Sequence, residues 1–185
     1  MSATRVLGLD PGTRHFGWGV VEKAGTRLTH VAHGILEVAN VGDLGERLVA
    51  IEQGLVAVVE AHRPHEAAIE SLFFAKDAQA AAKLGHARGV AMLVMARANL
   101  AIAEFPPARV KRTITGGGRA EKSQVAQMVR VMLGLAALPK ADAADALAIA
   151  LTRLQSHQVT ISNEERPPNP GRLALIAALG TRRRR

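Results

Sequence analysis

Two short apolar runs in this chain end on a carboxylate. Leu7-Gly8-Leu9 leads into Asp10, and Ala67-Ala68-Ile69 leads into Glu70. Each run reads as a buried strand, and an acid at its end restricts the fold, because a carboxylate withdrawn from water must be paired or must bind a cation. The segment Ala141-Asp142-Ala143-Ala144-Asp145 adds two more acids. Their spacing of three puts Asp142 and Asp145 on one face of a helix at its first turn. Four such acids suggest a divalent-metal site. Oxygen-only ligation suits Mg²⁺ or Mn²⁺, and an acid cluster can hold two ions about 3.5–4 Å apart, as two-metal phosphodiester chemistry requires.

Each acid also has a plainer reading. Aspartates in a first helical turn interact favourably with the helix dipole. Asp10 precedes Pro11-Gly12-Thr13, where a turn-forming aspartate is common. A purely structural Glu70, between Ile69 and the apolar Leu72-Phe73-Phe74, needs a buried arginine partner that the sequence does not identify.

Composition narrows the chemistry. Cysteine is absent from the 185 residues, which excludes a disulfide framework and a zinc-thiolate site. The seven histidines show no zinc-binding spacing and carry no expected ligand role. No segment reads as a secretory signal or a bilayer span, so a soluble, cytoplasmic protein is expected, without membrane contact. The net charge of +8 is concentrated in two places. Residues 159–185 carry six arginines against Glu164 and Glu165, and residues 109–122 carry Arg109, Lys111, Arg112, Arg119 and Lys122 against Glu121. Two basic segments on an otherwise balanced chain point to a polyanion, most simply nucleic acid.

Periodicity orders the elements. Strands are expected over Thr4–Asp10, Phe16–Lys23 and Arg27–Val38, with a turn at Ala24-Gly25. Asp43 and Glu46 stand at capping-box spacing before Leu44, Leu48, Ile51, Leu55 and Val58, which trace one helical face up to His62-Arg63-Pro64. Then come a strand over His65–Glu70, an alanine-rich helix over Lys76–Asn99, a strand over Leu100–Glu104, and a short helix around Ala108–Thr113. Helices over Lys122–Leu133 and Asp142–Leu154 follow. This order implies an α/β domain with a mixed five-stranded sheet and helices on both faces. Residues 1–158 form the expected domain. Pro167-Pro168-Asn169-Pro170-Gly171 marks 159–185 as a basic, flexible tail.

The run Gly116-Gly117-Gly118 ahead of Lys122-Ser123 resembles a phosphate loop but has Glu121 where glycine must stand, which argues against a nucleotide loop. Glycines beside Lys111, Arg112, Arg119 and Lys122 suit a loop that conforms to a nucleic-acid backbone. Aromatics are only 3% of the chain, so Phe73 and Phe74 after Glu70 are candidates to stack on bases or wedge a distorted duplex, with core packing as the alternative. Ala78, Ala82, Gly85 and Gly89 form a strip small enough for close helix approach, within the chain or across a symmetric dimer. Trp18, between Gly17 and Gly19, reads as a packing residue.

Taken in order, Gly8-Leu9-Asp10-Pro11-Gly12-Thr13, Ala68-Ile69-Glu70, Lys83-Leu84-Gly85-His86-Ala87-Arg88-Gly89-Val90, Ala120-Glu121-Lys122-Ser123-Gln124-Val125 and Ala141-Asp142-Ala143-Ala144-Asp145-Ala146-Leu147-Ala148-Ile149-Ala150 resemble the RuvC family of bacterial Holliday-junction endonucleases. The resemblance covers roughly residues 4–157. It implies a ribonuclease-H-like fold, a homodimer, and Mg²⁺-dependent paired nicks across a four-way DNA junction. It further implies cooperation with a RuvA–RuvB branch-migration complex and a short thymine-containing cleavage site. By motif, Asp10, Glu70, Asp142 and Asp145 match the family's catalytic acids, and Lys111 and Lys122 its DNA-contacting lysines. Phe73 matches its aromatic near the crossover, while Phe74 falls where the family varies. Two other classes compete. The Asp10-Pro11-Gly12-Thr13 turn also suits an actin-like or sugar-kinase ATPase, although that fold needs two domains, and an inert junction-binding module would need no metal.

Overall fold

The structure is a computed structural model that describes residues 3–71 and 78–156, the side chains of 78–80 excepted. Five strands and five helices follow in the expected order: β1 (Thr4–Asp10), β2 (His15–Ala24), β3 (Arg27–Glu37), α1 (Leu44–His62), β4 (Glu66–Glu70), α2 (Ala78–Arg97), β5 (Ala101–Phe105), α3 (Pro107–Thr115), α4 (Lys122–Leu133) and α5 (Ala141–Gln155). The sheet order is β3-β2-β1-β4-β5. β1, β2 and β3 form an antiparallel meander, and β4 and β5 add in parallel to β1. The parallel additions need crossovers, which α1 and α2 supply.

The sheet is buried on both faces, so its central strands read as nearly continuous apolar runs rather than alternating ones. Val6, Val21, Ala68 and Phe105 face α3, α4 and α5 together with Val110, Val125, Val129 and Leu147. Leu7, Leu9, Val20 and Ile69 face α1 and α2, where Ile51, Leu55, Ala91 and Met95 close the second layer. Trp18 packs on this second layer, which bears out its structural reading.

The expected capping box is present: the Glu46 amide donates to Asp43 Oδ1 at 3.0 Å, and the Asp43 amide donates to Glu46 Oε2 at 2.9 Å. At the other end of α1, Arg63 takes a left-handed conformation at φ 46 and Pro64 blocks continuation.

α5 packs closely on β1 and β2. Gly8 pairs with Gly19, and Asp10 pairs with Gly17. Residues directly opposite in an antiparallel pair share a face, so these three glycines lie on one side together with Asp10. A Cβ added at Gly8 would stand 2.0 Å from the Ala146 carbonyl oxygen, and one at Gly17 would stand 2.1 Å from that of Asp142. α5 answers with small residues of its own, the buried Ala143, Ala146 and Ala150. Glycine and alanine thus let the helix axis settle directly onto the sheet, and its first turn lands over the end of β1.

Candidate active site

The register of the sheet brings the acids together. β1 and β4 pair in parallel from Val6 and Glu66 to Leu9 and Ile69, so Asp10 and Glu70 emerge side by side at the carboxyl ends of adjacent strands. Both lie on the α5 side, because Gly8 and Ala68, two residues earlier in each strand, face that layer. The Gly17 contact fixes the Asp142 backbone above β2, and Asp145 lies one helical turn further along α5. Asp10, Glu70 and Asp145 line one cavity of about 240 Å³ with Lys111, Lys122 and Val110. Asp142 stands outside its lining.

Charge in this cavity is unbalanced. Burial raises the Asp10 carboxyl to about 7, reinforced by the charges of Asp145, Glu70 and Asp142 and opposed by Lys122. Glu70 is also raised, first by burial and then by Asp145, with Lys122 and Lys111 opposing. Lys122 donates to Asp145 Oδ2 at 2.8 Å, and that bond holds its ammonium above the ordinary lysine value. Two lysines therefore leave residual negative charge on the acids, which is the condition a divalent cation relieves. Among the described residues, no three Asp, Glu or His side chains form a ready-made coordination shell, and the Lys122 ammonium engages Asp145. The all-oxygen donor set and the uncompensated charge nevertheless fit a hard cation.

A pH dependence follows for the metal-free protein. Asp10 binds its proton more tightly folded, at about 7, than at the ordinary 3.8. Its contribution to stability is complete below the ordinary value and is lost as pH rises through the folded one. Asp10→Asn should therefore gain stability relative to the parent as pH increases across this window, measured as melting temperature in EDTA. A parent-minus-variant difference that is flat with pH would contradict the raised value.

The basic candidates separate into two groups. Lys111 on α3 and Lys122 at the start of α4 share the acid cavity. Arg112 is exposed and extends beside Gly118, and Arg119 lines a neighbouring groove of about 690 Å³ with Thr115, Ser123, Gln124 and Gln127. Gly116, at φ 77, ends α3 and turns the chain between the two. Phe73, Phe74 and the tail 159–185 lie outside the described residues.

Sequence reasoning missed the arginine beneath Glu70. Arg88 on α2 is 8% exposed; it pairs with Glu104 at 2.6 Å and donates to the Glu70 carbonyl oxygen at 3.4 Å. The buried arginine that a structural Glu70 would need does exist, but it engages the backbone of Glu70 and the carboxylate of another residue. The signal was available: Arg88 stands at helical spacing from Ala91 and Met95, two buried residues of α2.

Known proteins resemble this chain in sequence and in fold. The family model described as crossover junction endodeoxyribonuclease RuvC matches residues 6–153. The crossover junction endodeoxyribonuclease RuvC of Sorangium cellulosum is 59% identical over 152 residues, 82% of this chain and 85% of the relative. The protein of the same name from Beijerinckia indica is 49% identical over 82% of this chain and 86% of the relative. Among solved structures, T. thermophilus RuvC in complex with a Holliday junction substrate superposes with a TM-score of 0.76 at 34% identity, covering 82% of this chain and 93% of that one. The five-stranded mixed sheet is thus the ribonuclease-H-like sheet of that structure. On the family match and on both high-identity relatives, this chain belongs to the RuvC family of crossover junction endodeoxyribonucleases.

Proposed function

We propose that this chain resolves four-way DNA junctions by paired, Mg²⁺-dependent phosphodiester hydrolysis during recombination and repair. The observation that carries this reading is the meeting of Asp10, Glu70 and Asp145 with Lys111 and Lys122 around one cavity, in a chain of this family. Asp10, Glu70, Asp142 and Asp145 would hold the ions, two per site, with Mn²⁺ as a substitute. When bound, such ions orient and activate a water and stabilise the leaving 3′ oxygen. The family match gives no support to the ATPase reading or to an inert binding module.

The chain's own residues do the rest. Glu70 and Asp10 are held at strand ends, so their separation is set by sheet geometry rather than by loop conformation. Lys122 neutralises Asp145 before substrate arrives, and Lys111 moderates Glu70 from the α3 side. Both ammonium groups are then positioned to meet a phosphate entering the cavity. Arg112, Arg119 and the glycine loop extend the positive surface along the strand's path, and Phe73 is assigned to the crossover, with Phe74 as a second candidate for stacking.

Loss of Lys122 or Lys111 should therefore cost more than loss of an ordinary surface charge. Lys122→Ala and Lys111→Ala are each expected to slow junction cleavage by about 10-fold or more, the scale of losing a charge-assisted contact at a reacting group. Arg130→Ala, at an exposed position on the last turn of α4, should change it little. Equal effects of all three would contradict the role given to the lysines.

A homodimer would carry two such sites. Its support is the open strip on α2, where nothing among the described residues lies within 4 Å of an added Cβ at Gly85 or Gly89, beside the exposed Leu84, Met92 and Leu93. Residues 1–158 are proposed as the nuclease domain and 159–185 as a basic tail that adds non-specific affinity. Cytoplasmic action alongside a RuvA–RuvB complex completes the reading, and no helix among the described residues is long and apolar enough to cross a membrane. The test is cleavage of a synthetic mobile four-way junction with Mg²⁺ and Mn²⁺ titrated separately. Cutting that persists in EDTA would overturn the metal dependence.

A further inference from the structure

We propose that Arg88 is a positioning residue for Glu70, gripping the end of β4 from the opposite side of the sheet; the inference rests on the reading of Glu70 as a working acid. β4 and β5 pair Ile69 with Glu104 and Glu70 with Phe105. Ile69 faces the α1–α2 layer, so Glu104 points toward α2, while Glu70 and Phe105 face the α5 layer. From α2, the Arg88 guanidinium spends one nitrogen on Glu104 Oε2 at 2.6 Å and another on the carbonyl oxygen of Glu70 at 3.4 Å. The Ser71 amide donates to the Phe105 carbonyl at 2.9 Å, tying the chain just beyond Glu70 to β5. The backbone of Glu70 is thus held from two directions, and its carboxylate is left free of any salt bridge among the described residues.

The ion pair itself adds little stability: the Arg88 side chain is buried but that of Glu104 is 45% exposed, so solvent screens their attraction. Arg88 sits beside the apolar Ala87, Ala91 and Met95, where an apolar side chain would pack. The arginine also lines a second cavity, of about 200 Å³, bordered by Asp10, Pro11, Glu70 and Ser71, whose lining includes neither Lys111 nor Lys122. Arg88 is therefore next to the acids without competing with a cation for their oxygens. The geometry assigns it the task of fixing where β4 stops, and so where the Glu70 carboxylate starts.

The test compares the full chain with Arg88→Met/Glu104→Leu, Arg88→Lys and Glu70→Gln under single-turnover cleavage of a four-way junction, with junction affinity measured separately. Thermal melting in EDTA and with added Mn²⁺ gives a readout independent of cleavage. A misplacement on the scale of 1 Å costs about 100-fold in rate, so the double variant is expected to lose about 10- to 100-fold in kcat. Its junction affinity and metal-free melting should stay near the parent, and its melting response to Mn²⁺ should weaken. Arg88→Lys keeps the charge opposite Glu104 on a shorter head and should recover part of the lost rate. Parent-like kcat in either folded Arg88 variant would overturn the inference, as would a loss in kcat that only tracks lowered melting across both. If Glu70→Gln itself cleaves like the parent, the reading of Glu70 fails first; if it is inactive while the Arg88 variants are not, only the positioning role fails.

Discussion

Changing any one of Asp10, Glu70, Asp142 or Asp145 to its amide is expected to abolish junction cleavage while leaving junction binding within a few-fold of the parent. The amide keeps the shape of the side chain and removes the charge, so the substitution isolates cation binding from packing. Losing an anionic ligand at a metal-assisted site forfeits several kcal/mol of transition-state stabilisation, about 1,000-fold or more in rate. Binding should survive because it draws on Lys111, Lys122 and the arginines flanking the cavity, and removing negative charge beside them favours a polyanion. Single-turnover cleavage and a gel-shift titration at matched salt measure the two separately. Wild-type-like cleavage by two of the four variants would remove the basis for a shared metal site.

The second large effect concerns the fold beneath the site. Gly8→Ala is expected to destabilise the protein by about 3 kcal/mol or more, at the severe end for overpacking. The added methyl would meet the Ala146 carbonyl oxygen at 2.0 Å and the Ala150 amide nitrogen at 2.8 Å. Both are helix backbone, so relief requires lifting α5 from β1. In a domain of this size the melting temperature should fall by roughly 6–12 °C. Gly17→Ala presses on the Asp142 carbonyl at 2.1 Å and should lower activity out of proportion to its stability loss, because it displaces an acid rather than the middle of the helix. Thermal melting paired with cleavage at a temperature where both variants are folded separates the cases. A Gly8→Ala protein that melts like the parent would contradict the packing described for α5.

Much of this architecture was legible in the sequence because apolar period and punctuation agreed. Asp43 and Glu46 announced the start of α1, and the strands ending at Asp10 and Glu70 were marked by the acids themselves. Boundaries moved by a residue or so: β2 begins at His15, and β5 runs to Phe105, directly against Pro106. The convergence of the acids was legible only conditionally, since it depended on β1 and β4 being neighbours. Periodicity cannot reveal pairing. For the same reason Gly8, Gly17 and Gly19 read as isolated small residues until the register put them under one helix. The bond from Lys122 to Asp145 spans 23 positions and the pair of Arg88 with Glu104 joins a helix to a strand, and neither contact leaves a local pattern. Arg88 was hidden further by its setting, because an arginine in an alanine-rich helix ordinarily reads as solvated. Its helical spacing from Ala91 and Met95 was the one mark against that.

A competition experiment shows whether the acid cluster at one end of this sheet cuts branched DNA. A labelled mobile four-way junction and a labelled linear duplex built from the same arm sequences are incubated together with the protein and Mg²⁺, and cut positions are mapped on every strand. The expected result is paired nicks at symmetry-related positions on opposing strands of the junction, with the duplex intact. Equal cutting of the duplex, or unpaired nicks scattered over all four strands, would contradict it.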